Sequence, residues 1–259
     1  MKTYENLNAE FTLPQINGPL IEFKNVCKSY GNNKVLDGIS FQVKKGENLV
    51  ILGRSGSGKS VTVKCLVGLT KIDEGEIYIG GKAITSLNEE ELNKVRKKIG
   101  FLFQSGALYD SMTVRQNLAF TLQHHNKNLS EETIYQAITE ALSNVGLEEA
   151  IDKMPSELSG GMRKRIGLAR ALIIKPEIMI YDEPTGGLDT ITAKEIIELI
   201  RSIKQKFNTT SIIITHDLLC AKYTSDRVIV LKDGKVNMEG TYQSIESNMD
   251  SWIKSFFEK

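Results

Sequence analysis

The sequence predicts an α/β fold with a mainly parallel core sheet, an antiparallel β edge and an inserted α-helical subdomain. Strands and helices alternate in the last third of the chain, which is the pattern of an open, mainly parallel sheet. Two apolar segments around an early glycine turn predict a hairpin for the β edge. Between about 105 and 158 the periodicity is helical and no strand signal intervenes, so this stretch predicts the inserted helices.

Strands dominate the chain up to residue 103. The strands expected at 21–26 and 36–43 flank the turn Gly31-Asn32-Asn33 and form the hairpin. Further strands are expected at 48–52, 75–79 and 99–103, and helices at 60–69 and about 88–98.

Helices occupy the middle of the chain, and strands return near its end. Helices are predicted at 113–124 and 130–145, the second with Ser130 as its N-cap. His124 and His125 are expected in a polar loop without a partner motif. Strands are predicted at 178–181, 211–215 and 227–231, a long helix at 191–207, a closing hairpin from the turn Asp233-Gly234, and an amphipathic tail at 250–257.

The composition is that of a globular protein. The 259 residues are 41% hydrophobic, which is enough to fill a core, and the formal net charge of +1 attracts neither nucleic acid nor an anionic surface. We find no signal peptide and no apolar run near the roughly 18 residues of a spanning helix. Cys27, Cys65 and Cys220 lack metal-ligand spacing and fit a reducing cytosol. We therefore expect a cytoplasmic protein without a nucleic-acid partner.

A glycine-rich segment directly follows the strand at 48–52. It matches the pattern GxxxxGK[ST], whose glycines let consecutive N–H groups turn toward the β- and γ-phosphates of a nucleotide. Lys59 adds positive charge, and Ser60 is a magnesium ligand in this pattern. The predicted strand–loop–helix context is the one that the motif requires. The expected phosphate-binding residues are Gly53, Arg54, Ser55, Gly56, Ser57, Gly58, Lys59, Ser60 and Val61.

Two acidic residues end the strand predicted at 178–181. Asp182 and Glu183 lie at the carboxyl edge of the sheet, where such folds bind ligands. Because adjacent side chains of an extended chain point in different directions, the two carboxylates can have different roles. We expect Asp182 to orient the magnesium hydration shell and Glu183 to polarise the attacking water. The alternative is a solvent-facing acidic pair.

Three further side chains are candidates at the ends of predicted strands. His216 can donate a hydrogen bond to a γ-phosphate oxygen and hold the water-activating carboxylate in place. Gln104 can contact the magnesium shell or the water when the helical insert rotates inward. The ring of Tyr30 can stack on adenine. Each has a structural alternative, since His and Gln are common at strand ends and an aromatic ring can cover a sheet edge.

A second Ser-Gly-Gly turn, Ser159-Gly160-Gly161, precedes a helix. Its N–H groups have no local use, so we expect them to bind a phosphate of another molecule's nucleotide. The basic residues on that helix, Arg163, Lys164, Arg165 and Arg170, are interpreted as a solvated face without a catalytic role.

In this order and spacing, the motifs resemble those of the nucleotide-binding subunit of ATP-binding cassette transporters, over roughly residues 20–240. The resemblance implies a RecA-like P-loop NTPase core, ATP hydrolysis with ATP and Mg²⁺, and an integral membrane permease as partner. It also implies a head-to-tail homodimer, in which the Ser159 turn of one copy completes the ATP site of the other. Asp189, in Gly187-Leu188-Asp189, joins the nucleotide-site residues. The catalytic residues that the resemblance implies are Lys59, Gln104, Glu183 and His216. The metal ligands that it implies are Ser60, Gln104 and Asp182.

Three segments resemble, within that family, the ATPase of Mla-type phospholipid transporters: 104–114, 158–162 and 250–257. This resemblance implies phospholipid transport with an MCE-domain lipid-binding protein, on the cytoplasmic face of the inner membrane. The alternatives are an importer or exporter ATPase for another substrate, and a soluble cassette ATPase that serves an assembly scaffold. The apolar face of the tail docks on a second subunit or on its own core; it comprises Trp252, Ile253, Phe256 and Phe257.

The chain departs from the family pattern at two places. Met162 stands where most members have glutamine, and Gly186-Gly187 replaces the usual Ser-Ala, which loosens the backbone. We expect an N-terminal extension at 1–19, an ATPase domain at 20–246 with a helical subdomain at about 105–170, and the tail at 247–259.

Overall fold

The computed structural model describes residues 18–126, 128–248 and 250–257, without the side chains of Phe256 and Phe257. The predicted extension at 1–19 therefore lies almost wholly outside the described residues. The chain divides into two compact units. We call residues 18–96 with 208–257 the phosphate-loop unit and Lys97–Phe207 the helical unit, and we describe each by itself.

Strands and helices occur at every place where the sequence predicts one, with small shifts at their ends. The strands are β1 (Ile21–Tyr30), β2 (Asn33–Val43), β3 (Asn48–Gly53), β4 (Glu74–Ile79), β5 (Lys82–Ala83), β6 (Ile99–Leu102), β7 (Ile178–Asp182), β8 (Thr210–Thr215), β9 (Arg227–Lys232) and β10 (Lys235–Gly240). The α-helices are α1 (Lys59–Leu66), α2 (Glu89–Arg96), α3 (Val114–His125), α4 (Glu131–Ser143), α5 (Gly160–Leu172), α6 (Thr190–Phe207), α7 (Leu218–Thr224), α8 (Tyr242–Glu246) and α9 (Ser251–Phe257).

The phosphate-loop unit contains an antiparallel sheet in the order β2-β1-β4-β5. Phe23 on β1 is the register partner of Phe41 on β2, and their rings stack with centroids 4.4 Å apart. Both side chains are buried, so this cross-strand pair anchors one face of the sheet. The antiparallel edge that the hairpin pattern predicted is therefore present.

A second group of strands in this unit positions the glycine loop. Strand β3 is fully buried and pairs in parallel with both β8 and β9, while β10 is antiparallel to β9. Leu52 is the register partner of Thr215, so β3 and β8 end at the same edge. Gly53 is the last residue of β3 and His216 directly follows β8, so the register brings both residues to one side of the sheet.

The helical unit is built around the parallel pair β6 and β7 and the helices α3 to α6. Helix α5 contacts β6, α3, α4 and α6, and is therefore the central helix of the unit. Its buried Ile166 and Leu168 join apolar residues of the neighbouring helices, such as Leu118 and Leu142. Ser159, Thr113 and Ser130 cap α5, α3 and α4 with their side-chain oxygens, as helix N-caps commonly do.

The two histidines of α3 correct one expectation. His124 and His125 form the last turn of the helix, and not a polar loop. His125 is partly buried, and its carbonyl oxygen accepts a hydrogen bond from Lys97 Nζ at 3.3 Å. Burial and the neighbouring cations Lys97 and Lys98 lower the pKa of His125 to about 4. The partial burial of His125 depends on its neighbours in space, which a count of polar residues does not reveal.

Several smaller features complete the fold. Cys27, Cys65 and Cys220 are buried, in keeping with structural thiols, and burial raises the pKa of Cys65 to about 11. Within the residues described, no helix is both long and apolar enough to cross a membrane. In the tail, Ile253 is buried and α9 contacts α8 of the same chain.

Candidate nucleotide-binding and hydrolysis site

The loop between β3 and α1 requires glycine at two of its positions. A Cβ atom at Gly53 would lie 2.4 Å from Ser57 Oγ and 2.8 Å from the carbonyl oxygen of Leu231. Gly58 has φ +103°, and a Cβ atom there would lie 2.9 Å from the carbonyl oxygen of Val35. A side chain at either place would therefore displace backbone. The GxxxxGK[ST] spacing puts its glycines where the loop turns most tightly.

The N-terminus of α1 is open to an anion. Gly58 is the N-cap and has no side chain to satisfy the first N–H groups of the helix, so these can bind phosphate. Ser57 Oγ is buried and has no hydrogen-bond partner within the described residues. Lys59 Nζ donates to the carbonyl oxygens of Gly53 (2.8 Å) and Arg54 (3.2 Å), which holds the ammonium group over the loop. These features fit a nucleotide phosphate.

The other two candidates of the phosphate-loop unit lie near the ends of β1 and β8. His216 directly follows Thr215, whose register partner Leu52 precedes the glycine loop. The Tyr30 side chain is 51% exposed, and Lys28 Nζ lies 5.4 Å from the centroid of its ring. An exposed ring can stack on a base, whereas a ring that covered the sheet edge would be buried.

In the helical unit, the register of β6 and β7 brings three candidates to one edge. Leu102 is the partner of Tyr181, so Gln104 and the Asp182-Glu183 pair leave their strands on the same side. The Gly186 turn follows, where a Cβ atom would lie 3.5 Å from Gln104 Nε2 and 3.2 Å from the carbonyl oxygen of Glu183. Gln104 therefore lies beside the turn that follows Glu183.

The turn after β7 has unusual backbone conformations. Glu183 has φ +47°, in the left-handed region that is uncommon for residues other than glycine. Such conformations are often found at functional sites. Gly187 has φ +76°, so the glycine that replaces the usual alanine adopts a conformation that favours glycine.

The Ser159 turn contacts the residues that start α6. Ser159 Oγ accepts a hydrogen bond from Met162 N at 3.2 Å, and a Cβ atom at Gly160 would lie 3.6 Å from Leu188 Cδ2. Asp189 caps α6 and accepts hydrogen bonds from Ile191 N and from the backbone and side chain of Thr192. The hydrogen bonds from Thr192 lower the pKa of the Asp189 carboxyl. Ser159, Gly160 and Asp189 thus belong to one cluster of helix starts.

The interpretation of the basic residues of α5 as a solvated face is wrong for Lys164 and Arg170, whereas Arg163 is exposed as expected. Lys164 is only 4% exposed and its Nζ donates to the carbonyl oxygen of Glu183 at 2.9 Å. Arg170 donates to the carbonyl oxygen of Ala107, another residue with left-handed φ, and burial lowers the pKa of Arg170. Arg163 donates to the carbonyl of Leu158, and Arg165 pairs with Glu195.

The sequence pattern of α5 could have indicated that Lys164 is buried. Lys164, Leu168 and Ala171 have the spacing i, i+4, i+7, which places them on one face of a helix, and all three are buried. A lysine in line with apolar residues is expected to turn inward or to extend along the surface. The structure shows that it turns inward, to the backbone of a candidate catalytic residue.

The donor set of the candidate metal residues fits Mg²⁺. Ser60, Gln104 and Asp182 offer oxygen atoms, which this ion prefers, and Mg²⁺ in nucleotide sites takes few protein ligands beside phosphates and water. Within the described residues, no group of three or more His, Cys, Asp or Glu side chains could hold a metal ion.

The glycine loop, the open helix N-terminus and the acidic end of β7 define a P-loop nucleoside triphosphatase. The chain belongs to the ABC transporter family, whose pattern it matches over residues 36–186. It is therefore an ATPase with a RecA-like α/β core, an antiparallel sheet and Mg²⁺-dependent ATP binding.

Curated relatives cover most of the chain. It is 38% identical over 92% of its length to Protein TRIGALACTOSYLDIACYLGLYCEROL 3, chloroplastic, of Arabidopsis thaliana, and spans 73% of that protein. It is 38% identical to the methionine import ATP-binding protein MetN of Brucella abortus, but spans only 64% of it. It is also 38% identical to the intermembrane phospholipid transport system ATP-binding protein MlaF of Haemophilus influenzae, of which it spans 92%.

Solved structures confirm the fold. The post-hydrolysis dimer of the ATP-binding cassette MJ0796, bound to ADP and Pi, is 34% identical and superposes with a TM-score of 0.79, covering 86% of this chain and 98% of that one. CbiO1 from Clostridium perfringens, part of the ABC transporter complex cbiONQ, is 30% identical with a TM-score of 0.82, covering 93% and 96%. The predicted α/β class with an antiparallel sheet is confirmed.

Proposed function

We propose that this chain is the ATP-hydrolysing subunit of a transporter for phospholipid or another lipid. It works with an integral permease and an MCE-domain lipid-binding protein, at the cytoplasmic face of the inner membrane. The observation that carries the proposal is coverage: the chain spans 92% of MlaF, a phospholipid transport ATPase, with no large part of that protein left unmatched. A further relative bears the name of a lipid, trigalactosyldiacylglycerol.

Each candidate residue has a role in the proposed ATP site. The phosphates of ATP lie against the N–H groups of residues 53–61 and the ammonium group of Lys59, and Tyr30 stacks on adenine. Ser60, Gln104 and Asp182 hold Mg²⁺, which neutralises phosphate charge when bound. Glu183 takes a proton from the attacking water, and His216 donates to a γ-phosphate oxygen. Because phosphoryl transfer needs little covalent chemistry from a protein, positioning and charge stabilisation account for catalysis.

The second half of each ATP site comes from a second copy of the chain. In this proposal the Ser159-Gly160-Gly161 turn binds the γ-phosphate of ATP on the partner's glycine loop, and Asp189 lies at the seam between the copies. The dimeric form of the cassette MJ0796 supports a homodimer. The N-terminus of α5 supports the phosphate contact, since helix N-termini attract anions.

A second candidate function has its own observation. MetN, a methionine importer subunit, is as similar to this chain as MlaF, at 38% identity. An importer ATPase for a small molecule would use the same residues for hydrolysis and differ in its permease. MetN proteins extend well beyond the matched region, since the chain spans 64% of the one from Brucella abortus. That difference in coverage is why we favour lipid transport.

Purification of the complex tests the proposal. The tagged chain is isolated from detergent-solubilised native membranes, and the accompanying proteins and extracted lipids are identified by mass spectrometry. A permease with an MCE-domain protein and bound phospholipid is the expected result. A permease with a solute-binding protein, and no enrichment of lipid, would replace lipid transport by import of another substrate. Recovery with soluble scaffold proteins alone would overturn transport.

A further inference from the structure

The carbonyl oxygen of Glu183 accepts hydrogen bonds from different parts of the helical unit. Gly186 N donates to it at 3.0 Å, which closes the turn after β7. Lys164 Nζ, on α5, donates to it at 2.9 Å. The first bond is local to the turn, whereas the second joins residues 19 positions apart in the sequence. The lysine therefore ties this turn to the central helix of the unit.

The turn needs such a support because Glu183 has φ +47°. A residue with a Cβ atom is strained in the left-handed region and stays there only when its surroundings favour it. A change of φ and ψ at Glu183 would redirect both its side chain and its carbonyl group. A hydrogen bond from a charged donor to that carbonyl is stronger than one from a neutral donor, so it resists this change.

Burial makes the bond selective for the observed backbone conformation. Lys164 is 4% exposed, and a buried ammonium group that lost an acceptor would bear a desolvation cost. Lys164 lies one turn before the buried Leu168, on the same face of α5. This cost opposes rotation of the Glu183 carbonyl away from the amine.

We propose that Lys164 is a positioning residue for Glu183: its ammonium group fixes the left-handed backbone that presents the carboxylate of Glu183 to the attacking water. The inference rests on the proposed role of Glu183 as general base. In this scheme Lys164 acts through the backbone of Glu183 and not directly on ATP or water. It should therefore change the rate of hydrolysis and leave ATP binding intact.

The test compares three substitutions at position 164 in the full-length chain. Lys164→Met keeps the apolar stem and removes the donor, and we expect kcat for ATP hydrolysis to fall about 10-fold to 100-fold with KM within about twofold, as for a lost orientation of a general base. Lys164→Arg keeps a charged donor and should recover most of kcat. Lys164→Gln is too short to reach the carbonyl, so it should resemble Lys164→Met. If Lys164→Met fails to fold, Lys164→Gln still tests the positioning role of Lys164.

Arg165→Met is the matched control. Arg165 is the next residue of α5 and carries the same charge, but it pairs with Glu195 and has no bond to Glu183 in the described contacts. Its loss should leave kcat near that of the wild type. If Arg165→Met lowered kcat as much as Lys164→Met does, the effect would come from helix charge, and the positioning role would be wrong.

A double substitution separates this inference from the proposed function. In a Glu183→Gln background, Lys164→Met should cause no further loss of kcat, because the group that it positions is already gone. An equal further loss would show that Lys164 acts by another route. Rapid hydrolysis by Glu183→Gln alone would instead overturn the general base, whatever Lys164 does. Unchanged kcat in both Lys164→Met and Lys164→Gln, with Glu183→Gln inactive, would overturn the lysine's role alone.

Discussion

Gly161 and Thr192 are in contact so close that only glycine fits: a Cβ atom at Gly161 would lie 2.4 Å from Thr192 Cγ2. Gly161 belongs to the first turn of α5, and Thr192 to the first turn of α6. Thr192 also donates its hydroxyl hydrogen to Asp189 at 2.6 Å. This close approach therefore joins the Ser159 turn to the start of α6, which Asp189 caps.

Gly161→Ala should destabilise the helical unit. The added methyl group forces Thr192 or the helix start to move, and overpacking of this kind costs about 1–3 kcal/mol. Gly160→Ala is the matched control for stability, because its Cβ atom would lie at an ordinary contact distance of 3.6 Å from Leu188. Urea denaturation should show a lower midpoint for Gly161→Ala alone. Equal midpoints for the two variants would contradict the packing argument.

Two inactive variants should complement each other if the ATP sites are shared between copies. Lys59→Ala lacks the phosphate-binding ammonium group, and Ser159→Arg blocks the turn that faces the partner's nucleotide. A mixed dimer has one site with both defects and one site with neither. Mixing equal amounts of the purified variants, followed by random exchange of subunits, should therefore restore up to about half of the wild-type activity per mixed dimer, which is about a quarter for the whole mixture. Activity that stays at the level of the separate variants argues against head-to-tail pairing.

Glu183→Gln should separate ATP binding from turnover. The amide occupies the same space as the carboxylate but cannot accept the proton of water, and loss of a general base costs typically about 10²–10⁴-fold in rate. ATP affinity should change little, because the glycine loop and Lys59 are untouched. Steady-state hydrolysis and nucleotide binding are measured on the same preparation, and size-exclusion chromatography with ATP reports the dimer. A variant that still hydrolysed ATP rapidly would exclude Glu183 as the base.

His125 should make the stability of the chain fall in mild acid. Burial lowers the pKa of His125 to about 4, below the ordinary value of about 6.5 that it has in the unfolded chain. Between these values the unfolded state binds a proton that the folded state does not, so stability decreases as the pH falls from about 6.5 toward 4. With a discount for screening by solvent, the free energy of unfolding at pH 5 should be lower than at pH 7 by on the order of 1 kcal/mol.

Substitution by glutamine isolates this contribution. His125→Gln cannot titrate, so the change in urea midpoint between pH 7 and pH 5 should be smaller than in the wild type. His124→Gln replaces the exposed neighbour, and its urea midpoint should change between pH 7 and pH 5 as much as that of the wild type. The prediction is wrong if the wild type and His125→Gln lose the same stability over that range.

Trp252→Ala should loosen the tail from the phosphate-loop unit. The indole ring lies 5.8 Å from the guanidinium of Arg54, in the glycine loop, and 4.6 Å from Lys232 Nζ. Arg54 Nη2 also donates to Ser255 Oγ at 2.6 Å. Cation–π contacts at partly exposed sites contribute about 0.5–1 kcal/mol each, so the variant should be cleaved several-fold faster in the tail by trypsin. Unchanged cleavage would show that the contacts of the indole ring do not hold the tail.

Local patterns were sufficient for the strands and helices that carry the motifs. Strand β3, the glycine loop and α1 follow from an apolar run, tight-turn glycines and helical spacing, all of which act over a few neighbouring residues. Helices α7 and α8 were not predicted. They have seven and five residues, and their Asp217 and Thr241 caps stand before segments too short to show a helical period.

The long-range relationships are of a different kind. The register that pairs Leu52 with Thr215 follows from strand pairing, which depends on packing of segments far apart in the sequence. The positions of His125 and Lys164 were misjudged for the same reason. Both residues look polar in the sequence, and only their neighbours in space decide whether their charged or polar ends meet water or protein.

By itself, the sequence determined the class of chemistry of this protein, because phosphate binding depends on glycines, a lysine and a helix start that are consecutive in the chain. The sequence also indicated the ATPase family and the residues proposed for catalysis. Only the tertiary structure decided that a buried lysine of α5 holds the backbone of Glu183, and that Gly161 must be small to meet Thr192. These contacts join residues distant in sequence, and their geometry is set by the packing of whole helices and strands.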